Sequence, residues 1–410
     1  MKKYKLIVLL VYSLISPIVL AQQELTPYME MAAANNPGLK AKFNEYLAAL
    51  EQVPQVKSLP DPQISFAYFI SPVETRVGPQ QFKISASQFF PWFGSLEARE
   101  NAAVQAAKAR YELFCEIRSN LFHEVRSVYY NLYFIQKSIG ITGSNIDLLR
   151  SIQKLVTIKV ESGLVSMLDE YRVEMEIQEL ENQLALLKDE MAALQQAFRN
   201  LLNAEDDLVI ELPEELWNIN FPLAKEAASD SVLSANHGLL QLGFKQSALV
   251  HKRELAEKQG KPDFMVGLDY TVIGKGENNL AGKDAFIFPA VGISIPLYRD
   301  KYKAMVREVS YLETANQEES SDLENKLETL FEKTWKEYMD ADRRILLNES
   351  QVELASKALN LLESEYSTGN TNFEEILRME RKVLQFRLAY EKARADKQAA
   401  ISFLNYLMGK

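Results

Sequence analysis

The longest pattern in the chain is a seven-residue apolar repeat in a stretch that lacks helix breakers. Between Leu297 and Thr368 the sequence has no glycine or proline, the residues that most often end a helix. Apolar side chains recur there at every seventh position, at Phe331, Tyr338, Ile345, Val352, Leu359 and Tyr366. Small residues three positions later allow a neighbouring helix to approach closely. We predict one long helix over about 299–366, roughly 100 Å at 1.5 Å per residue.

A matching long helix is predicted over about 97–160, where apolar residues again recur at intervals of three and four. Gly140 and Gly143 interrupt this stretch, and each costs about 1 kcal/mol relative to alanine in a helix interior. We therefore expect a local irregularity at these two glycines. Other helices are expected over 26–57, with a break near Pro37-Gly38, and over 167–202 and 373–408.

Four segments alternate with a period of two, as strands do. They are 63–71, 82–90, 264–273 and 286–295, and each has one apolar face and aromatic residues near its ends, among them Phe90, Trp92 and Tyr298. Their length matches tilted outer-membrane strands, and such aromatics are typical of a membrane interface. A soluble sandwich covered by helices explains the strands alone equally well. Four strands cannot close a barrel, so a membrane location requires several chains to pool strands.

The amino terminus has the pattern of a secretory signal. Lys2, Lys3 and Lys5 precede an uncharged apolar run over 6–20. We predict a signal peptide over 1–21, because a run of about 15 residues is shorter than the roughly 20 that a membrane anchor helix needs. Cys115 lies far from this site, so a lipid-modified amino-terminal cysteine is not expected.

Short motifs recur in the same order at offsets between 200 and 206 residues. Asn36-Pro37-Gly38-Leu39 returns as Asn236-His237-Gly238-Leu239, and Ser162-Gly163 returns as Thr368-Gly369. Five such matches in one order indicate a duplication. We predict a first repeat over 22–203, a linker over 204–230 and a second repeat over 231–410. Each repeat has the order helix, two strands, long helix, shorter helix.

Composition narrows the function classes. The chain has 410 residues, a formal net charge of −10, one cysteine and three histidines. The acidic balance argues against a nucleic-acid partner, and a single cysteine excludes an intrachain disulfide or a cysteine-rich zinc site. The histidines have no partners at helical spacing, and we find no paired carboxylates or nucleophile set. No catalytic residue, metal or cofactor is expected.

Three motifs carry a resemblance to a known family. They are Leu59-Pro60-Asp61-Pro62 before the first strand, Ser87-Gln88-Phe89-Phe90-Pro91-Trp92-Phe93-Gly94 at the end of the second, and Tyr366-Ser367-Thr368-Gly369. With the duplicated order, they make the predicted mature chain resemble the TolC-like outer-membrane efflux factor family. The proline motifs are most similar to its metal-efflux branch.

The resemblance implies a mainly α fold with a small β part. Three chains would form a 12-stranded barrel in the outer membrane and an α-helical tunnel, with coiled-coil packing, across the periplasm. It also implies a passive exit duct of a tripartite efflux or secretion system. Its partners would be a periplasmic adaptor, which docks on the helix tips, and an inner-membrane pump, which supplies the energy.

Site residues follow from the resemblance position by position. Gly163 and Gly369 would mark the periplasmic tips where the adaptor docks, with Tyr366 at the position of a gating tyrosine. Asp169 and Glu375, each six residues after its glycine, would form the channel constriction, although Arg378 stands where many members have a second acid. Alternatively, Ser166 with Asp169 and Asn372 with Glu375 fit capping boxes that only begin a helix.

A competing function is a soluble periplasmic helical scaffold or adaptor. An adaptor needs a β-rich domain beside a single helical hairpin, whereas this sequence has two equal repeats. The expected outer-membrane exit duct therefore fits the sequence better.

Overall fold

The computed structural model describes residues 25–276, 282–367 and 373–410. The predicted signal peptide and Gly369 lie outside the described residues. The helices are α1 (Thr26–Asn35), α2 (Pro37–Lys57), α3 (Ser95–Glu161), α4 (Met167–Leu202), α5 (Lys225–Ala235), α6 (His237–Gln259), α7 (Arg299–Ser367) and α8 (Phe373–Leu407). The strands are β1 (Gln63–Tyr68), β2 (Glu74–Thr75), β3 (Gly78–Phe90), β4 (Asp263–Ile273) and β5 (Ala285–Ser294).

The chain divides into two compact units, and each contains parts of both predicted repeats. The first unit comprises the described parts of 1–41 together with 115–236 and 324–410, and the second comprises 42–114 and 237–323. The long helices α3 and α7 contribute residues to both units. The sequence repeats are therefore not separate compact domains. The boundaries of the repeats themselves stay a prediction.

The second unit contains one antiparallel sheet in the order β1-β3-β4-β5, with β2 paired to β3. The central pair, β3 with β4, joins a strand of each repeat and aligns Ile84 with Tyr270 and Ser85 with Asp269. β1 and β5 form the two edges of this sheet. The observed β1 ends at Tyr68, before the predicted end at 71, and β3 begins at Gly78, before the predicted start at 82.

The register gives the sheet two chemically different faces, because side chains alternate along each strand. On one face, paired positions include Phe66 with Ile84 and Phe264 with Ile293. We call this the apolar face, and its exposed members include Ile64, Phe66, Tyr68, Ile84, Phe90, Val266, Leu268, Tyr270, Phe286, Val291 and Ile293. The opposite face holds the serines of β1 and β3 and an ion pair, with Lys83 Nζ 2.8 Å from Asp269 Oδ2. A large exposed apolar surface needs a partner or a membrane to cover it.

Two short motifs, Pro262-Asp263 and Phe90-Pro91-Trp92-Phe93-Gly94, meet where the sheet joins the helices. The backbone N–H of Trp92 donates to Asp263 Oδ1 at 3.0 Å, and the Trp92 ring stacks on Phe264 with a centroid distance of 5.8 Å. Gly94 has a φ of +76°, a conformation that favours glycine. Lys258 Nζ donates to its carbonyl at 3.1 Å. The Pro-Asp and Phe-Pro-Trp-Phe-Gly motifs therefore fix the turn from strand to helix.

The first unit is a bundle whose core follows the predicted seven-residue repeat. Phe331, Tyr338, Ile345 and Leu359 on α7 are buried, as are Thr334, Ala341, Asn348 and Ala355 three positions after repeat residues. Near the ends of the long helices, apolar side chains of α3, α4, α7 and α8 form one buried cluster, which includes Ile146, Val173, Ile177 and Phe373. The pattern read from the sequence is thus the packing face of the helix.

The expected irregularity at Gly140 and Gly143 is wrong, because α3 continues through both residues. Buried neighbours on the same helix, such as Ile135 and Ile146, gain more from packing than two glycines cost, since tertiary packing outweighs helix propensity. The expected break near Pro37 is observed, with α1 ending at Asn35 and α2 beginning at Pro37.

Matched hydrogen bonds in the first unit support the duplication. Asn36 Nδ2 donates to the carbonyl of Leu201 at 3.1 Å, and Asn236 Nδ2 donates to that of Leu407 at 3.0 Å. Each asparagine lies just after a short helix and reaches the last helix of its own repeat. The two copies therefore use the same side chain to connect their first and last helices.

Hydrogen bonds attach the second half of the segment between α4 and α5 to the helices of the first unit. Lys397, of which 1% is exposed, donates from Nζ to Asn218 Oδ1, Asn220 Oδ1 and Asp342 Oδ1 at 2.9, 2.6 and 2.7 Å. The backbone N–H of Phe221 donates to the Tyr338 hydroxyl at 3.1 Å. A buried ammonium is tolerated only when its protons are bonded, and three acceptors satisfy this one. We call Lys397 and its three acceptors the linker clamp.

Candidate functional site

The candidate site lies in the first unit, where α3 ends and α4 and α8 begin. α3 ends in a Schellman motif: Gly163, with a φ of +70°, donates to the carbonyl of Val160, and Leu164 donates to that of Lys159, each at 2.9 Å. α4 then begins at Met167, where the Ser166 hydroxyl accepts from the backbone N–H of Leu168 at 3.2 Å. The predicted tip glycine Gly163 is thus a helix terminator that lets the chain reverse.

Asp169 lies in the first turn of α4 with 15% of its side chain exposed. Its Oδ1 is 3.3 Å from Arg172 Nη1, and the other guanidinium nitrogen of Arg172 is 3.4 Å from Glu374 Oε2 on α8. Arg172 therefore connects acids at the starts of two helices from different repeats. The expected capping box is seen only in its Ser166 half, since the described side-chain bond of Asp169 goes to Arg172.

Glu375 occupies the corresponding place on α8. It pairs with Arg378, three residues later on the same helix, and the two side chains are 42% and 64% exposed. The proposed cap residue Asn372 lies outside the described residues. The departure from the family pattern at Arg378 therefore places a cation beside the predicted constriction acid.

Tyr366, near the end of α7, lies beside the same helix ends. Lys159 Nζ donates to the Tyr366 carbonyl at 2.8 Å and lies 3.9 Å from the ring centroid, a distance that allows a cation–π interaction. The Tyr366 and Phe373 rings are 5.4 Å apart. Burial raises the pKa of Tyr366, and the nearby Asp169 carboxylate adds to this shift. The structure thus brings Asp169 and Tyr366 together.

We call Lys159, Tyr366, Asp169, Arg172, Glu374, Glu375 and Arg378 the tip site. Sequence reasoning missed Lys159, Arg172 and Glu374. The spacing of Arg172 three residues after Asp169 was available as a signal, since residues at this spacing are neighbours on a helix. The contact of Lys159 with Tyr366 joins residues far apart in the sequence and left no local pattern.

The predicted interface aromatics lie around the sheet of the second unit. Phe90 is on the apolar face and 37% exposed, Tyr298 is 85% exposed, and Trp92 is partly buried against Phe264. In the described part of the chain, no helix has an apolar run long enough to cross a bilayer.

Long helices and an amphipathic four-stranded sheet with two open edges are the architecture expected of an outer-membrane channel protein. Residues 28–204 match the sequence profile of the family described as "Outer membrane efflux protein". No curated protein sequence shows significant similarity to the chain.

Solved structures of outer-membrane proteins share the fold over nearly the whole chain. The outer membrane protein VceC from Vibrio cholerae is 14% identical, with a TM-score of 0.78 over 95% of this chain and 98% of that one. The MtrE outer membrane channel of Neisseria gonorrhoeae, in its open state, is 16% identical, with a TM-score of 0.77 over 94% and 89%. The CmeC outer membrane channel of Campylobacter jejuni is 14% identical, with a TM-score of 0.72 over 94% and 86%. Residues 28–204 of the chain thus match the outer membrane efflux protein family, and the described chain has the fold of TolC-like channels.

Proposed function

We propose that three copies of the chain form an exit duct, with their sheets in the outer membrane and their helices in the periplasm. The observation that carries this proposal is the apolar face, which continues across all four long strands and ends at two open edges, β1 and β5. Unpaired backbone groups at such edges cannot lie in lipid. Pairing β5 of one protomer with β1 of the next satisfies them and closes twelve strands.

The tip site is the proposed gate of the duct. In a closed trimer, Arg172 holds Asp169 and Glu374 together and so connects α4 to α8. Exposed apolar side chains near the tips, including Leu155, Ile158, Leu164 and Met167, give a periplasmic adaptor a surface to bind. Adaptor binding separates the tips, and an inner-membrane pump supplies the energy. Similarity of the proline motifs to the metal-efflux branch stays a prediction.

Cysteine cross-linking tests the closure of the sheet. In a Cys115→Ala background, Ser65→Cys on β1 is combined in turn with Ala290→Cys, Gly292→Cys and Ser294→Cys on β5, which the register places on the same face. We expect one register to give cross-linked trimers in outer-membrane fractions. Phe66→Cys, on the opposite face, is the control and should not cross-link with these positions. A soluble monomer with no cross-link in any register would overturn the duct.

A further inference from the structure

A cavity in the second unit lies between the end of α6 and the start of α7, beside the end of β5. Its volume is about 800 Å³. Its lining contains four basic side chains, Lys261, Arg299, Lys303 and Arg307, and a single acid, Glu257. We call these four basic residues the basic cradle. The cavity thus has an excess of positive charge in a chain whose formal net charge is −10.

Most of this charge has no protein partner. Among the residues that the structure describes, Lys261, Arg299 and Arg307 form no ion pair, while Lys303 lies 3.6 Å from Asp300, whose side chain is fully exposed. Elsewhere in the second unit, two cations of α6 pair with acids of α7, Arg253 with Glu313 at 2.8 Å and Lys245 with Glu319 at 2.6 Å. The basic cradle is therefore free to bind an external anion.

The apolar face of the sheet continues to this cavity. Ile295 lies two residues after Ile293, so it falls on the same side of the chain; it is 66% exposed and lines the cavity with Pro296. Val291 and Ile293, which precede it on the edge strand β5, are 67% and 58% exposed. A ligand with an anionic head and apolar chains would match both surfaces at once.

We propose that the basic cradle binds the phosphate headgroup of an anionic glycerophospholipid, with its acyl chains against Val291, Ile293 and Ile295. This inference rests on the proposed membrane location of the sheet. Because the cavity is on the helix side of the sheet, the lipid belongs to the periplasmic leaflet. Basic residues next to an apolar membrane segment attract anionic headgroups, and arginine suits phosphate through its paired donors. The site fixes the depth at which β4 and β5 lie in the bilayer.

Native mass spectrometry of the detergent-purified full-length protein tests the site, since it resolves bound lipids and subunit number together. The protein is titrated with phosphatidylglycerol, with phosphatidylcholine and with inorganic phosphate as a competitor. We expect phosphatidylglycerol to bind about tenfold more tightly than phosphatidylcholine, and millimolar phosphate not to displace it, because phosphate lacks the acyl chains.

The double variant Arg299→Gln/Arg307→Gln should lose about tenfold in phosphatidylglycerol affinity. Lys301→Gln/Arg343→Gln removes the same charge from α7 outside the cavity and should retain the wild-type affinity. Lys261→Gln, a single exposed change, provides a milder second variant and should lose a few-fold in phosphatidylglycerol affinity.

Equal affinity in cradle and control variants, equal binding of the two lipids, or displacement by free phosphate would overturn the lipid site. A trimeric mass with any of these results leaves the duct standing, whereas a soluble monomer counts against the duct itself.

Discussion

The starts of α4 and α8 occupy equivalent places in the two repeats, yet their acids have different surroundings. Asp169 is 15% exposed, and its partner Arg172 also reaches Glu374 on the other repeat. Glu375 is 42% exposed and pairs with Arg378 on its own helix. An ion pair that connects two helices restrains their relative position. An exposed ion pair within one turn of a single helix contributes little to stability. The duplication has kept the acid and its arginine; among the described residues, the pair of the first copy reaches the other repeat through Glu374, whereas the pair of the second copy lies within one helix.

A similar contrast appears between one and two turns further along the two helices. Glu176 on α4 is buried and paired with Arg381, with Oε2 2.7 Å from Nε. Glu380 on α8 is more deeply buried and receives one hydrogen bond, from Asn145 Nδ2 at 3.1 Å, while its Oε1 has no partner among the described residues. The ion pair of Glu176 with Arg381 holds α4 and α8 together, whereas the buried Glu380, which has an unsatisfied carboxylate oxygen, lowers the stability of the fold.

The largest expected effect comes from Asp169→Asn. This change removes the charge that holds Arg172 between the two helices, and the loss of about 1 kcal/mol would raise the ratio of open to closed ducts about fivefold. Glu375→Gln, the matched control, should change it less than twofold because the pair is exposed. Conductance in planar bilayers measures both. If the two variants behaved alike, the difference between the tips would have no functional meaning.

A smaller effect is expected from Glu380→Gln. Burial raises the pKa of Glu380, and Glu363 adds to the shift. The folded state therefore favours the protonated acid. The stability of the wild-type protein falls as the pH rises above 4.5, the ordinary pKa of a glutamate. Glu380→Gln should remove this part of the pH dependence and raise the unfolding temperature at pH 8 by about 2 °C. Glu176→Gln should instead lower it, since Arg381 loses its partner. Thermal unfolding between pH 5 and 8 checks both signs.

Tyr366→Phe is expected to have the smallest effect. The Tyr366 hydroxyl is buried without a hydrogen-bond partner among the described residues, so its removal takes away an unsatisfied polar group. Lys159 contacts the carbonyl and the ring, and the variant keeps both. We expect unchanged conductance and equal or slightly higher thermal stability. A duct opened by this variant would show that the hydroxyl itself takes part in gating.

Periodicity predicted the helices and long strands well because each pattern reflects which side of an element is covered. The α7 repeat from Phe331 to Leu359 marks its packing face, and alternation at Ile64 and Phe66 marks the apolar face. Contacts between distant segments were not predictable in this way. Neither the pairing of β3 with β4 nor the reach of Arg172 to Glu374 leaves a local pattern, and the basic cradle joins residues of α7 to Lys261 in the turn after α6.

The linker clamp limits how the chain can vary in length between its two repeats. Lys397 satisfies its three protons only when Asn218 and Asn220 keep their positions, so inserted residues there would leave a buried charge with missing acceptors. Asp206 and Asp207, in an exposed turn earlier in the same segment, carry no such constraint, because exposed turns tolerate insertion. Added sequence, such as a tag or a small domain, is therefore compatible with the turn at Asp206 and Asp207 and not with the second half of this connection.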